Sequence, residues 1–235
     1  MRNILFSGIA ALSLLSLAPL APAMAGSIDT GGLSVTHGGG NVNTARGSFS
    51  NAGQGTTTIG GAAYGHGRAL TYGGGNRNLA SGYMSNAQQD TTTIGGTAYG
   101  HGRASTYGGG NRNVASGYLS NAQQDTTTVG GTAYGHGRAL TYGGGNRNLA
   151  SGYMSDAQQS VTTLGGQAYG HGQSQVSGGF NSNRATGHFS QADQQVLTMG
   201  GAAHGRDLVS GGRNRNAATG FGSSASQSVT TLSGQ

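Results

Sequence analysis

The chain contains no cysteine, tryptophan, lysine or glutamate. Without cysteine no disulfide framework can hold it, and thiolate metal sites and thiol nucleophiles are excluded. Without glutamate or cysteine the usual catalytic side chains are scarce, and near-identical repeats do not readily build one asymmetric site. Proline occurs only at Pro19 and Pro22, and charged residues make up 8% of the chain. Disordered chains usually carry high net charge or many Pro and Glu, so this composition does not fit them. A large aliphatic core is equally excluded. Gly supplies 49 of 235 residues, and ordering that many glycines costs more conformational entropy than a sparse apolar set can offset. The remaining solution is a thin, repetitive β-structure held by backbone hydrogen bonds and side-chain ladders.

The first residues read as a leader. Arg2 opens it, Ile4 to Leu20 is apolar, and Ala23-Met24-Ala25 fits a small-x-small cleavage site. The sequence therefore predicts a signal peptide over 1–25 and a single repeat domain over 26–235. No second apolar run follows, so no transmembrane segment is expected in the mature chain, and its destination is extracellular or the cell surface. Past the leader, eleven Arg stand against six Asp, a net charge of about +5. That balance is compatible with an acidic polysaccharide or another polyanion as partner, and equally with ordinary solubility.

What the chain does have is a period. Asn41, Asn76, Asn111, Asn146, Asn181 and Asn214 each close a Gly-rich tetrad, at spacings of 35 four times and then 33. Such periodicity predicts a stacked architecture. The fold class expected is all-β, a solenoid or β-helix of about six 35-residue units near 38–72, 73–107, 108–142, 143–177, 178–210 and 211–235. Within the unit 73–107, Gly73-Gly74-Gly75-Asn76 reads as a turn, because Gly and Asn accept positive φ. Gln89-Asp90 reads as a second turn, and Thr91-Thr92-Thr93-Ile94 as the strongest strand, since β-branched residues suit a pleated surface. No segment carries a sustained 3.6-residue pattern, so helix is not expected past the leader.

Columns through the units carry more than any one unit. The six Asn residues above predict an amide ladder along the stack. Ala45, Ala80, Ala115, Ala150, Ala185 and Ala218 form a second column, and Ser50, Ser85, Ser120, Ser155, Ser190 and Ser223 a third. Ile59, Ile94, Val129, Leu164, Met199 and Leu232 form an apolar column that reads as buried, so that Ile94→Asp is expected to cost several kcal/mol. The chain opens on Leu33 to His37, which match the end of a unit, and stops soon after Val229 to Gly234. Two copies would then join by pairing those two segments.

Candidate binding groups also recur. Arg68, Arg103 and Arg138, and Arg77, Arg112 and Arg147, form cationic columns that must be solvated or neutralised by an anion. Tyr72, Tyr107 and Tyr142 form an aromatic column that can stabilise the stack or contact sugar rings. His66, His101, His136 and His171 sit in Tyr-Gly-His-Gly frames. They lack the second ligand that a metal site needs, so no metal is expected. Thr-x-Thr at 56–58, 91–93 and 126–128 resembles the face of ice-binding solenoids, but the next three units break it. Asp90 and Asp125 have no fixed His partner, so no catalytic site and no cofactor are expected.

The segment Thr71-Tyr72-Gly73-Gly74-Gly75-Asn76, followed by Ala80 and Gln88-Gln89, resembles the curlin subunits of bacterial functional amyloid. Their repeats place a Gly-x-Gly-Asn turn before an Ala and a Gln. The present repeat is longer, and Thr71 stands in the place of a Gln. That resemblance implies an exported subunit that polymerises with itself into surface fibres or biofilm matrix. Ala80-Ser81-Gly82 and Ser85-Asn86-Ala87 are similar to head repeats of trimeric autotransporter adhesins, which implies instead a module binding glycans or a polyanionic surface.

Overall fold

The computed structural model describes residues 22–24, 28–29, 33–64, 68–203 and 206–233. The rest of the predicted leader, His66 and Gly234 lie outside the described residues. All regular elements among them are strands, and every strand pairing is parallel. The chain is a β-solenoid of six circuits from Ile28 to Leu232. Each of the first five circuits contributes one strand to each of four sheets, and the sixth contributes strands to three of them and a single bridge, Ala203 to Ala168, to the fourth.

A short sheet is built from two-residue strands such as Ala62–Ala63 and Thr97–Ala98. A tyrosine sheet follows, with Leu33–His37, Arg68–Tyr72, Arg103–Tyr107, Arg138–Tyr142, Gln173–Ser177 and Arg206–Ser210. Next is an asparagine sheet of Val42–Arg46, Arg77–Ser81, Asn111–Ser116, Gly145–Ser151, Phe180–Thr186 and Arg213–Thr219. The circuit closes with a long sheet of Phe49–Ile59, Met84–Ile94, Leu119–Val129, Met154–Leu164, Gln191–Met199 and Ser224–Leu232. Pairing joins equivalent positions of successive circuits, as in Asn111↔Asn146.

The long strand shows how sequence sets this shape. Over Met84–Ile94 the residues alternate, with Ser85, Ala87, Gln89, Thr91 and Thr93 inward and buried. Met84, Asn86, Gln88, Asp90, Thr92 and Ile94 point outward. The strand therefore runs straight through Gln89-Asp90, where a turn was expected. The expected burial of the apolar column is overturned by the same parity: Ile94 lies one residue past the inward Thr93. Ile59 is 36% exposed, Met199 37% and Leu232 46%. The Thr-x-Thr pairs face inward, so solvent meets only Thr92 and its equivalents.

The interior is narrow because small residues meet across it. Ala80, Ala115, Ala150 and Ala185 of the asparagine sheet pack on Ala87, Ala122, Ala157 and Ala192 of the long sheet, all fully buried. A second Ala cluster joins the short and tyrosine sheets, including Ala98 and Ala104. Close contact at the corners needs glycine: a Cβ on Gly117 would overlap the carbonyl oxygen of Gly82 in the circuit below. Gly135 turns the Tyr-Gly-His-Gly corner at φ 85°, a conformation that other residues seldom adopt.

The register also corrects the expected joint between copies. Leu33–His37 belongs to the column of Arg206–Ser210, through Arg68 to Gln173. Ser224–Leu232 belongs to that of Phe49–Ile59. Any continuation of the stack pairs those strands, and not Val229 to Gly234 with Leu33 to His37. Pro22–Met24, inside the expected leader, lies along Thr57–Ile59. Among the described residues no helix is long and apolar enough to cross a membrane.

Candidate functional site

The chemistry of this molecule is arranged in lines along the stack. Asn76 donates from Nδ2 to Asn111 Oδ1 at 3.1 Å, Asn111 to Asn146 at 2.9 Å, Asn146 to Asn181 at 2.9 Å and Asn181 to Asn214 at 2.8 Å. Asn41 donates instead to Thr56 Oγ1, at 3.2 Å.

Two further ladders run beside this one, and neither was singled out from the sequence. Asn78, Asn113, Asn148, Asn183 and Asn216 are linked amide to amide at 3.0 to 3.1 Å. Each also spans the interior. Asn113 Nδ2 donates to Ala87 O at 2.8 Å and to Gln123 O at 2.7 Å, both carbonyls of the long sheet. The third ladder runs from Gln227 down to Gln89 through Gln194, Gln159 and Gln124, at 2.6 to 3.0 Å. These Gln and Asn positions are as regular in the sequence as the first ladder. The misplaced turn at Gln89 hid the former, and attention to the Gly-rich tetrad hid the latter.

The aromatic columns are stacked rings. Tyr72 and Tyr107 lie 4.9 Å apart and Tyr107 and Tyr142 5.0 Å, with planes within 7°. His37 caps that column on Tyr72 at 4.8 Å, so His takes a Tyr place in the stack. Tyr64, Tyr99, Tyr134 and Tyr169 form a second column, and Tyr83, Tyr118 and Tyr153 a third. Ring faces are therefore covered by neighbouring rings, and mainly edges and hydroxyls meet solvent. Sugar binding by stacking needs free faces. Burial pushes the Tyr107 hydroxyl above its ordinary value, with Tyr142 and Tyr72 adding and Arg103 opposing. His101, His136 and His171 also stack, at 5.1 Å. Among the described residues no group of His, Asp, Glu or Cys is arranged to hold a metal ion.

Charge is segregated by sheet. Arg77, Arg112 and Arg147 are in register and exposed on the asparagine sheet. Arg68, Arg103 and Arg138 are in register on the tyrosine sheet, where Arg138 donates to Gln175 Oε1 at 3.2 Å and Arg103 Nε is buried without a partner. The Asp side chains that are described, Asp90, Asp125, Asp156 and Asp193, all point outward from the long sheet. Burial raises the Asp90 carboxyl above its ordinary value, and Asp125 adds to this. Burial also raises Asp125, against a hydrogen bond from Gln123. Asp156 is raised by burial and then by Asp193, with Gln158 opposing.

These lines of amides, rings and charges can hold a stack together and present a periodic surface. Comparison with family models, with curated proteins and with solved structures gave no match to this chain.

Proposed function

We propose that this chain is an exported structural subunit that assembles with itself, end to end, into cell-surface or biofilm-matrix β-fibres. One observation carries the reading: among the described residues nothing pairs with the outer edge of the last circuit's strands, on which every column can continue. Ser224–Leu232 is exposed at every residue. Ser224 N–H donates to Ser190 O, and Leu232 O accepts from Gly200 N–H, so even-numbered residues of this strand face the circuit below. The odd-numbered ones, from Ala225 to Thr231, point their N–H and C=O groups at the free edge. Once removal of the leader takes Pro22–Met24 from the edge of Thr57–Ile59, a second copy placed there in register sets its Phe49–Ile59 on Ser224–Leu232, its Val42–Arg46 on Arg213–Thr219 and its Leu33–His37 on Arg206–Ser210. Asn214 and Asn216 then donate to the second copy's Asn41 and Asn43, and its Gln54 donates to Gln227. Unprotected edges of this kind recruit strands. The leader expected from the sequence over 1–25 supports export, and the curlin resemblance supports the fibre.

The exposed Arg columns favour a second reading, an adhesin-type module on a polyanionic surface. Growth separates the two. Val229→Pro with Thr231→Pro removes two N–H groups at the free edge, where proline is tolerated by the strand itself. The variant is expected to keep its β circular dichroism and to lose seeded elongation. Equal growth of variant and parent refutes the end-to-end model, and a parent that stays soluble under dilute native conditions refutes the fibre.

A further inference from the structure

We propose that the solenoids also associate side by side, front to back, with the Asp-bearing long sheet of one copy against the Arg-bearing asparagine sheet of a second copy. The two sheets lie on opposite sides of the same interior, joined across it by Asn113 and its equivalents. Their outward faces carry opposite charge. Four consecutive circuits place one Asp each on the long sheet: Asp90, Asp125, Asp156 and Asp193. The same four circuits place one exposed Arg each on the asparagine sheet: Arg77, Arg112, Arg147 and Arg184.

Both rows climb one circuit per charge, about 4.8 Å at each step. Along the strands, Asp90 and Asp125 share one column and Arg77, Arg112 and Arg147 another, whereas Asp193 and Arg184 stand two residues off theirs and Asp156 four. Two parallel copies therefore match the rows in height, one circuit per charge, with Asp156 displaced along the strand. The contact brings guanidinium groups to a row of carboxylates that lack them in the single solenoid, where burial disfavours the charge of Asp90, Asp125 and Asp156. The contact is heterologous, since the two faces differ. A third copy adds to the second as the second did to the first, giving ribbons or bundles in place of a closed dimer. Strands of 5 to 7 residues on the asparagine sheet limit the contact to roughly 500 Å² a side, below the usual size of a stable interface. Single copies therefore pair weakly, and filaments, in which the contact repeats, pair firmly.

The proposal takes its setting from the fibre reading, and filament width tests it apart from filament length. Three forms are compared by negative-stain microscopy at about 20 mM and 1 M salt: the parent, the quadruple variant Asp90→Asn, Asp125→Asn, Asp156→Asn, Asp193→Asn, and the quadruple variant Arg77→Gln, Arg112→Gln, Arg147→Gln, Arg184→Gln. Asn is at home on the outward face, as Asn86 and Asn121 show. The parent is expected to bundle at low salt and to separate at 1 M, where screening acts within about 3 Å. Both variants are expected to grow to parental length as single filaments at either salt. Mixing an Asp→Arg quadruple with an Arg→Asp quadruple restores bundles. Bundling by the Asp→Asn variant like the parent overturns the proposal. So does a loss confined to the Arg→Gln variant, which assigns that row to a polyanion. If no filament forms, the fibre reading falls by itself, and light scattering decides the side-by-side contact. Attraction between parent copies that salt and both variants abolish supports it, and repulsion or no response overturns it.

Discussion

Asn113 offers the sharpest test of what holds the solenoid together. Its side chain is fully buried. Its Nδ2 donates to Ala87 O, Gln123 O and Asn148 Oδ1 at 2.8, 2.7 and 3.0 Å, and its Oδ1 accepts from Asn78 Nδ2 at 3.1 Å. Asn113→Ala deprives three acceptors and one donor at once. Each buried group left unpaired costs about 1–3 kcal/mol; Asn78 Nδ2 keeps Ala52 O and Gln88 O as acceptors, while Asn148 Oδ1 loses its donor, so the net loss is roughly 3–5 kcal/mol. Asn113→Asp keeps the shape but puts oxygen against three oxygens and buries a charge, so at neutral pH it is expected to lose at least as much. Protonation restores one O–H donor, and the gap between the two variants should close on acidification. Guanidinium melts followed by far-ultraviolet circular dichroism at pH 7 and pH 4 measure both effects. Hydrogen exchange should place the damage in the circuits containing Ala87, Gln123 and Asn148, because circuits of a stack couple to nearest neighbours. If both variants melt within about 0.5 kcal/mol of the parent, the amide ladder does not hold the sheets together, and the account of the interior is wrong.

Ile94→Asp, at an outward and half-exposed position, should cost about 1 kcal/mol or less in the same melts; a loss of several kcal/mol returns Ile94 to the interior. Gly117→Ala forces a Cβ into the Gly82 carbonyl, so it should lose more than about 3 kcal/mol or fail to fold, and a melt like the parent's shows that the corner can open. Folding raises the carboxyl pKa of Asp90, Asp125 and Asp156 above the ordinary value of 3.8. Their stabilising contribution is thus full below about pH 3.8 and is lost as pH rises through the raised values. The melting temperature of dilute protein should rise on acidification from pH 7 to 3.5. The triple variant Asp90→Asn, Asp125→Asn, Asp156→Asn should flatten that rise and melt higher at pH 7. A parent that melts lower at pH 3.5 than at pH 7 contradicts the sign.

The repeat, the solenoid and the first Asn ladder were legible because the chain states them six times. Glycine corners were legible for a local reason, since Gly73 to Asn76 suits a turn wherever it stands. Which columns face inward was not legible. Ile94 and Asn78 recur with equal regularity, and the ordinary preference puts Ile inside. That preference assumes room. Here Ala80 meets Ala87 across the interior, so room is scarce; Val161, Val176 and Val196 do fit at inward positions, but Ile94 stands at an outward one. The decisive evidence was parity along Met84–Ile94. Breaking the strand at Gln89-Asp90 removed the link between the inward Ala87 and the outward Ile94, and it also hid the Gln ladder. The Arg columns were found in sequence. The opposing Asp row was not, because Asp90, Asp125, Asp156 and Asp193 stand at three different positions of the unit and share only the face from which they project.

An interior of amides has a consequence that an aliphatic core lacks. A globular core is finished when its surface closes. Each ladder here is a line, and its last member keeps hydrogen-bonding capacity directed along the stack. Asn214 and Asn216, at the last circuit, make the bonds to Gly211 O, Ala192 O and Ser226 O that Asn181 and Asn183 make to equivalent carbonyls, and lack only the amide acceptor of a following circuit. Gln227 donates only downward, to Gln194 at 2.7 Å. A further circuit offers each of these residues the same bond that its predecessors already make, at about 1 kcal/mol net per bond in addition to the backbone ladder. The gain per added circuit does not fall with length, and the free end always looks the same. Stability that grows by equal steps at an unchanging end is the thermodynamic condition for linear polymerisation. It supports an extended assembly over a monomeric binding module, because a binder gains nothing from an end that stays receptive.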